Sequence, residues 1–147
     1  MKKYKFIDHT ADVMFEVKAK TLKEIFENAA LAVFEVQVEL NSVKRKVKKE
    51  IKLKNANPED LLFDFLEELI YIKDAKYLVF NKFKVKLLEK ASSKIDKKEF
   101  LLKCTAEGEK IDPKKHELKT DVKAITLHEF YLRKIGKTWK CRVLLDI

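Results

Sequence analysis

Glycine and proline are nearly missing from this chain: Gly108, Gly136, Pro58 and Pro113 are the whole supply in 147 residues. A P-loop or a GxGxxG turn needs several glycines close together, so neither can be built here. An independent nucleotide hydrolase is therefore not expected. Cysteine is as scarce. Cys104 and Cys141 sit in alternating segments, not in a CxxC pair, and read as small buried hydrophobes. The three histidines, His9, His116 and His128, form no HxH or HxxxH pair. A zinc site with several imidazole ligands would need distant residues to converge. Ser42, Ser92 and Ser93 fall in loop-like stretches without a nucleophile-elbow motif. No apolar run approaches the ~18 residues of a membrane span. The N-terminal MKKYKFIDH carries lysines with no apolar stretch behind them, which is not a signal-peptide layout. A cytoplasmic protein without membrane contact is expected.

Lysine is what the chain has in abundance. Of 33 basic residues only Arg45, Arg133 and Arg142 are arginine; against 24 acidic residues the formal net charge is +9. Charged residues make up 39% of the sequence, with Gln37 the single glutamine. That Lys/Glu-rich, Gln-poor balance is the signature of heat-adapted proteomes, where charge covers a solvated surface. Base and phosphate readers favour the planar fork of arginine. Any affinity for polyanions is therefore expected to be nonspecific.

Periodicity gives the elements. YKFIDH (4–9) and DVMFEVKA (12–19) read as short strands around a tight polar connection, with Val13, Phe15 and Val17 on one face. Thr21 and Glu24 have capping-box spacing ahead of a helical stripe of Leu22, Ile25, Phe26, Ala29, Ala30 and Val33. Residues 42–54 alternate Val43, Val47, Ile51 and Leu53 with lysines, which predicts a strand with one basic face. Those lysines suit RNA contact or protection of a sheet edge. Asn57, Pro58, Glu59 and Asp60 predict the start of a second helix, buried through Leu61, Leu62, Phe65, Leu66 and Leu69. Strands are predicted at 77–89, around Phe100–Ala106, and at 122–132, the last apolar on both faces as in a central strand. KASSKIDKK (90–98) reads as a hairpin loop. Ile135-Gly136-Lys137 turns into a last strand with Trp139, Cys141, Val143 and Leu145 on one face. The sum is one α+β domain over residues 1–147, with two helices packed on largely antiparallel sheet.

The stretch that departs from this pattern is FIDHTADV (6–13), where Asp8, His9 and Asp12 crowd between two strands. It suits a polar turn, a metal site or a catalytic centre. Asp146 and the terminal carboxylate of Ile147 add hard oxygen groups at the other end of the chain. If the last strand ends beside residues 8–12, three or four such groups gather, the chemistry that calcium takes. Asp in a turn also serves as a simple Asx cap.

DHTAD (8–12), LLFDFLEELI (61–70), GEKIDPKKH (108–116), VKAITLHEF (122–130) and the terminal LLDI together resemble the archease family over essentially the whole chain. Two positions depart from its pattern: Met14 stands where a glycine is common, and Phe65 where a tryptophan is common. The resemblance implies a noncatalytic protein that activates an RtcB-type tRNA-splicing RNA ligase, promoting its guanylylation and multiple turnover and broadening its use of nucleoside triphosphates. It also implies a calcium site on Asp12, Asp146 and Ile147, with Asp8 and His9 in the surrounding shell. Lys123 and His128 fall in the second motif as further functional residues. Contact with tRNA would be weak or indirect. Two alternatives remain open: a chaperone or binding module for RNA- or DNA-processing proteins, resting on the basic surface, and a metal-dependent hydrolase.

Overall fold

The structure is a computed structural model that describes residues 3–7, 12–91 and 97–147. Its elements run β1 (Tyr4–Ile7), β2 (Val13–Ala19), α1 (Leu22–Gln37), β3 (Val47–Asn55), α2 (Pro58–Lys76), β4 (Leu78–Ala91), β5 (Lys98–Lys110), β6 (Ala124–Ile135) and β7 (Thr138–Asp146). The strands form two antiparallel sheets, ordered β1-β2-β7-β6 and β3-β5-β4. Among the described residues no helix is long and apolar enough to cross a membrane.

The helix ends follow from local chemistry. The Thr21 hydroxyl accepts the Glu24 N–H at 3.2 Å and donates to the Glu24 carboxylate at 3.0 Å. The predicted capping box is thus half formed, since Glu24 takes the hydroxyl proton and not the Thr21 amide. Asn57 accepts the Asp60 N–H at 2.8 Å, and Pro58, which has no N–H to leave orphaned, opens α2. Tyr77 closes that helix in the left-handed region at φ 56°, its N–H bonded to the Lys73 carbonyl.

Both helices lie between the sheets. α1 packs on β2 and β7 to one side and on β4 to the other, while α2 bridges β6 and β3. Burial on two sides explains why α1 hides not one stripe but most of its circumference, Asn28 and Gln37 included. Ala29, Ala30 and Ala32 are fully buried, and their short side chains let the layers close on the helix. Phe26 meets Phe65 of α2 at 5.8 Å, and Phe34 packs against Phe80 and Phe83 of β4, both at 5.7 Å. Cys104 and Cys141 are both buried, and burial pushes each thiol up to about 12. They are inert core residues.

Two strand assignments need correction. The strand expected from residue 42 begins only at Val47, because Val47 opposite Gly108 is its first pair with β5. Before it, Leu40–Ser42 form a 3-10 turn and Val43 tucks into the core. The Asn81 amide holds that detour by donating to the Leu40 and Val43 carbonyls at 2.9 and 2.8 Å. The segment expected as a central strand is β6, which lies at an edge. Its apolar residues on both parities reflect a bulge between the pairs Thr126–Leu144 and Tyr131–Arg142. The bulge switches the face of everything beyond it and leaves Leu127 70% exposed. The loop predicted at 90–98 does close a hairpin, with Ala91 opposite Lys98; residues 92–96 lie outside the described residues.

Gly108 is where the three-stranded sheet tolerates no side chain. β4 is irregular between Phe80 and Lys82, which carries its backbone over Gly108. A Cβ there would lie 1.8 Å from the Val79 carbonyl oxygen and 2.7 Å from the Phe80 α-carbon. Both obstacles are backbone, so no rotamer change can relieve them. Gly108→Ala is expected to destabilise the fold by at least the ~1–3 kcal/mol typical of overpacking. Chemical denaturation would check this; a midpoint equal to that of the parent would show that β4 yields freely.

Candidate functional site at the rim of the four-stranded sheet

β2 pairs with β7 over its whole length, with Val13 opposite Leu145 as the last pair. The next position on each strand holds Asp12 and Asp146. Continued in register, their α-carbons would lie roughly 5 Å apart with side chains on one face. β6 arrives at the same rim, with Ala124 opposite Asp146 and the Lys123 N–H bonded to the Asp146 carbonyl at 2.8 Å. That bond fixes the last residues of the chain against a third segment. Asp146 is exposed and Ile147 is 36% exposed. The rim thus carries Asp12 and Asp146 beside Ile147, and carboxylate and carbonyl oxygens are the donors a hard cation takes. Among the described residues, no three His, Cys, Asp or Glu side chains form a metal-holding group. Asp8 and His9 lie outside the described residues.

The two motif residues of the 122–130 segment have different surroundings. Lys123 is exposed and lines a shallow cleft between α2 and β6 with Glu67, Tyr71 and Asp74. Burial, and then the charge of Asp64, raise the Glu67 carboxyl in that cleft. His128 stands in the β6 bulge. Its N–H donates to the Thr126 hydroxyl at 3.0 Å, and its ring lies 3.7 Å from the Glu129 carboxylate. Glu129 adopts φ 57°, a left-handed conformation that is uncommon outside glycine and clusters at functional sites. The bonds of His128 run to its own bulge, not to the acidic rim.

Further along the same outer face lies a network that periodicity did not reveal. Glu16 opposite Arg142 takes two guanidinium hydrogen bonds, at 2.9 and 2.8 Å, and Lys140 approaches it at 3.5 Å. Arg142 and Arg133 both lie over the Tyr131 ring, at 5.3 and 4.3 Å from its centroid. Burial works to raise the Glu16 carboxyl, but the bonds and charges of Arg142 and Lys140 outweigh it and hold it below the usual range. This carboxylate is fully engaged.

The GEKIDPKKH segment forms a structural latch. Buried Glu109 accepts from the Lys44 N–H and the Lys115 ammonium, both at 2.5 Å, and lies 3.0 Å from His116 Nε2. His116 Nδ1 accepts the Asp112 N–H at 2.9 Å, which puts the ring proton on Nε2, facing Glu109. The neutral imidazole is fully satisfied and has no lone pair left for a ligand or a substrate.

Residues 4–147 match the family model of the archease protein family. A protein archease from Methanosarcina acetivorans is 38% identical over 146 residues, 99% of this chain and 97% of the relative. Among solved structures, that of Methanobacterium thermoautotrophicum protein 1598 superposes with a TM-score of 0.76 at 32% identity, covering both chains completely. The crystal structure of an archease and possible chaperone from Thermotoga maritima gives 0.60 at 22% identity, covering 96% of this chain and 94% of that one. At that identity it speaks for the fold alone.

The latch predicts an acid limb. Burial works to raise the Glu109 carboxyl, yet the bonds from Lys115, His116 and the Lys44 backbone carry it from 4.5 down to about 2. A carboxylate depressed in the folded state stabilises above its unfolded pKa, and that contribution is lost as pH falls through the folded value. Stability is therefore expected to decline between about pH 4.5 and about pH 2. Glu109→Gln should be less stable at neutral pH and show a flatter decline across that window in urea melts. An equally steep limb in the variant would remove Glu109 from the account.

Proposed function

The chain belongs to the archease family, and on that premise we propose that it is a noncatalytic activator of an RtcB-type tRNA-splicing RNA ligase. In this reading it promotes guanylylation of the ligase, sustains multiple turnover and broadens the triphosphates accepted. The observation that supports it is the rim, where the last strand ends beside the position of Asp12. Asp12, Asp146 and Ile147 would hold a calcium ion there, with Asp8 and His9 around them. When bound, the ion relieves repulsion among the carboxylates and offers a hard centre for oxygen groups of a docked partner. Lys123 serves by fixing Asp146 through its backbone. Exposed His128, in the bulge of the same sheet, would touch the partner. No residue is assigned to covalent chemistry. A chaperone or binding module for RNA- or DNA-processing proteins is the second reading, favoured by the lysine-covered sheet described below. It differs in predicting protection of an aggregating client without an effect on ligation.

Asp12→Ala, Asp146→Ala and deletion of Ile147 each remove or displace one oxygen donor. Each is expected to weaken calcium binding about tenfold or more, on the scale by which disturbing even a supporting ligand weakens a metal site. All three should lower the rate of ligase guanylylation and the number of ligation turnovers. Calorimetric calcium titration beside single- and multiple-turnover ligation would check both. Unaltered calcium affinity in all three variants would sink the site. Weakened affinity with full activation would reduce the ion to a clasp joining the two ends of the domain.

A further inference from the structure

The helices cover one face of the three-stranded sheet, and among the described residues its other face is open. Register fixes what stands side by side there. Crossing from β3 through β5 to β4, the rows read Lys48–Glu107–Lys82, Glu50–Thr105–Lys84, Lys52–Lys103–Lys86 and Lys54–Leu101–Leu88. Glu99 beside Lys90 closes the face. Eight lysines thus face three glutamates, while the whole chain carries +9.

Two uses of surface lysine account for most of this pattern, but not for its third row. A heat-adapted ion-pair surface alternates sign, as in Lys48–Glu107–Lys82, where Lys82 reaches Glu107 at 3.6 Å. Edge protection puts charge on outer strands, which suits Lys52 of β3 and Lys86 of β4. Lys103 is on the central strand, directly between two other lysines on strands ~4.8 Å apart. Like charges placed directly opposite destabilise a sheet. Lys103 has one diagonal partner, Glu50 at 3.6 Å, and both side chains are about half exposed, so the pair offsets little. Among the described residues, Lys52 and Lys86 show no carboxylate within ion-pair reach. The row therefore carries a standing repulsion that an external anion would relieve.

The face also selects among anions. Protein interfaces are depleted in lysine and enriched in aromatic residues, methionine and arginine; this face has none of those three. Base reading calls for arginine forks, and stacking on bases calls for aromatic rings. Lysines alone supply point charges for phosphates. We propose that this face binds the phosphate backbone of a nucleic acid strand, independently of sequence, with the Lys52–Lys103–Lys86 row at its centre. The surface lies on the opposite sheet from the acidic rim, and its binding is measured without any ligase, so it stands or falls apart from the activator reading.

The test uses the full chain and fluorescently labelled 20-nucleotide RNA and DNA oligomers of mixed sequence, followed by anisotropy over a salt series. Lys52→Gln, Lys86→Gln and Lys103→Gln are combined in one variant; all three side chains are exposed, so folding should be retained. A control variant combines Lys20→Gln, Lys114→Gln and Lys137→Gln, exposed lysines outside the face, for the same change in net charge. The parent is expected to bind both oligomers with a steep salt dependence. Losing three phosphate contacts should lower the salt slope by about 2 and the low-salt affinity about tenfold or more. The control should stay within about twofold. An equal loss in both variants, no oligomer binding by the parent, or binding to phosphatidylserine vesicles in place of oligomers would each overturn the proposal.

Discussion

The antiparallel ladder between β2 and β7 is the constraint on which the molecule depends. It joins residues 13–19 to residues 139–145, so nearly the whole chain lies within the loop it closes. The entropic cost of closing a loop rises only slowly with length. It is offset here by a fully buried face, since Phe15, Val17, Cys141, Val143 and Leu145 all point at α1 and are completely hidden. A slip of one residue would exchange faces. Val143 and Leu145 would then meet water, and Arg142 and Asp146 would enter the core. The same pattern that fixes the core therefore fixes which residues reach the rim.

Much of this was legible in the sequence because it is written in local period and local caps. Trp139, Cys141, Val143 and Leu145 alternate cleanly and lie on one face as expected. Asn57 with Pro58 begins α2, and Gly136 turns at φ 63°. What was not legible depends on partners distant in sequence. The alternation from Val43 to Leu53 fits a strand in either sheet, and it runs on through residues that β5 no longer accompanies. The apolar residues around Leu127 look like a strand buried on both faces until the bulge is known to switch their facing. That the strands split into two sheets with both helices between them could not be read from any one segment. Its trace was the near-continuous burial potential of α1, which looked like a generous stripe.

The rim was legible in its residue types more than in its geometry. Asp12 and Asp146 each stood out at the end of a predicted strand, but their juxtaposition is a property of register. Lys123 and His128, neighbours in one motif, separate for the same kind of reason. Lys123 precedes the regular part of β6 and bonds to Asp146, whereas His128 is lifted out by the bulge. The Glu109–His116 latch shows the opposite case, a motif whose acid and histidine look chemical and prove to be a satisfied structural knot.

The spacing of charges on the outer face of the four-stranded sheet shows how an acidic rim can persist in so basic a protein. Counting inward from Asp12 and Asp146, the next row is Met14–Leu144–Thr126, and Glu16–Arg142–Tyr131 follows it. Met14 is 4% and Leu144 2% exposed, so an apolar row separates the rim from the first arginine. Four residues of extended chain place Arg142 roughly 13 Å from Asp146, beyond the ~8–10 Å over which exposed charges act at ordinary salt. The nearer carboxylate, Glu16, engages Arg142 within its own row and Lys140 of the next row inward. An arginine at position 144 would instead stand beside Asp146 and compete for its carboxylate with any cation. Two buried hydrophobes, Met14 and Leu144, therefore keep the Arg142 guanidinium in the row of Glu16 and away from the Asp146 carboxylate.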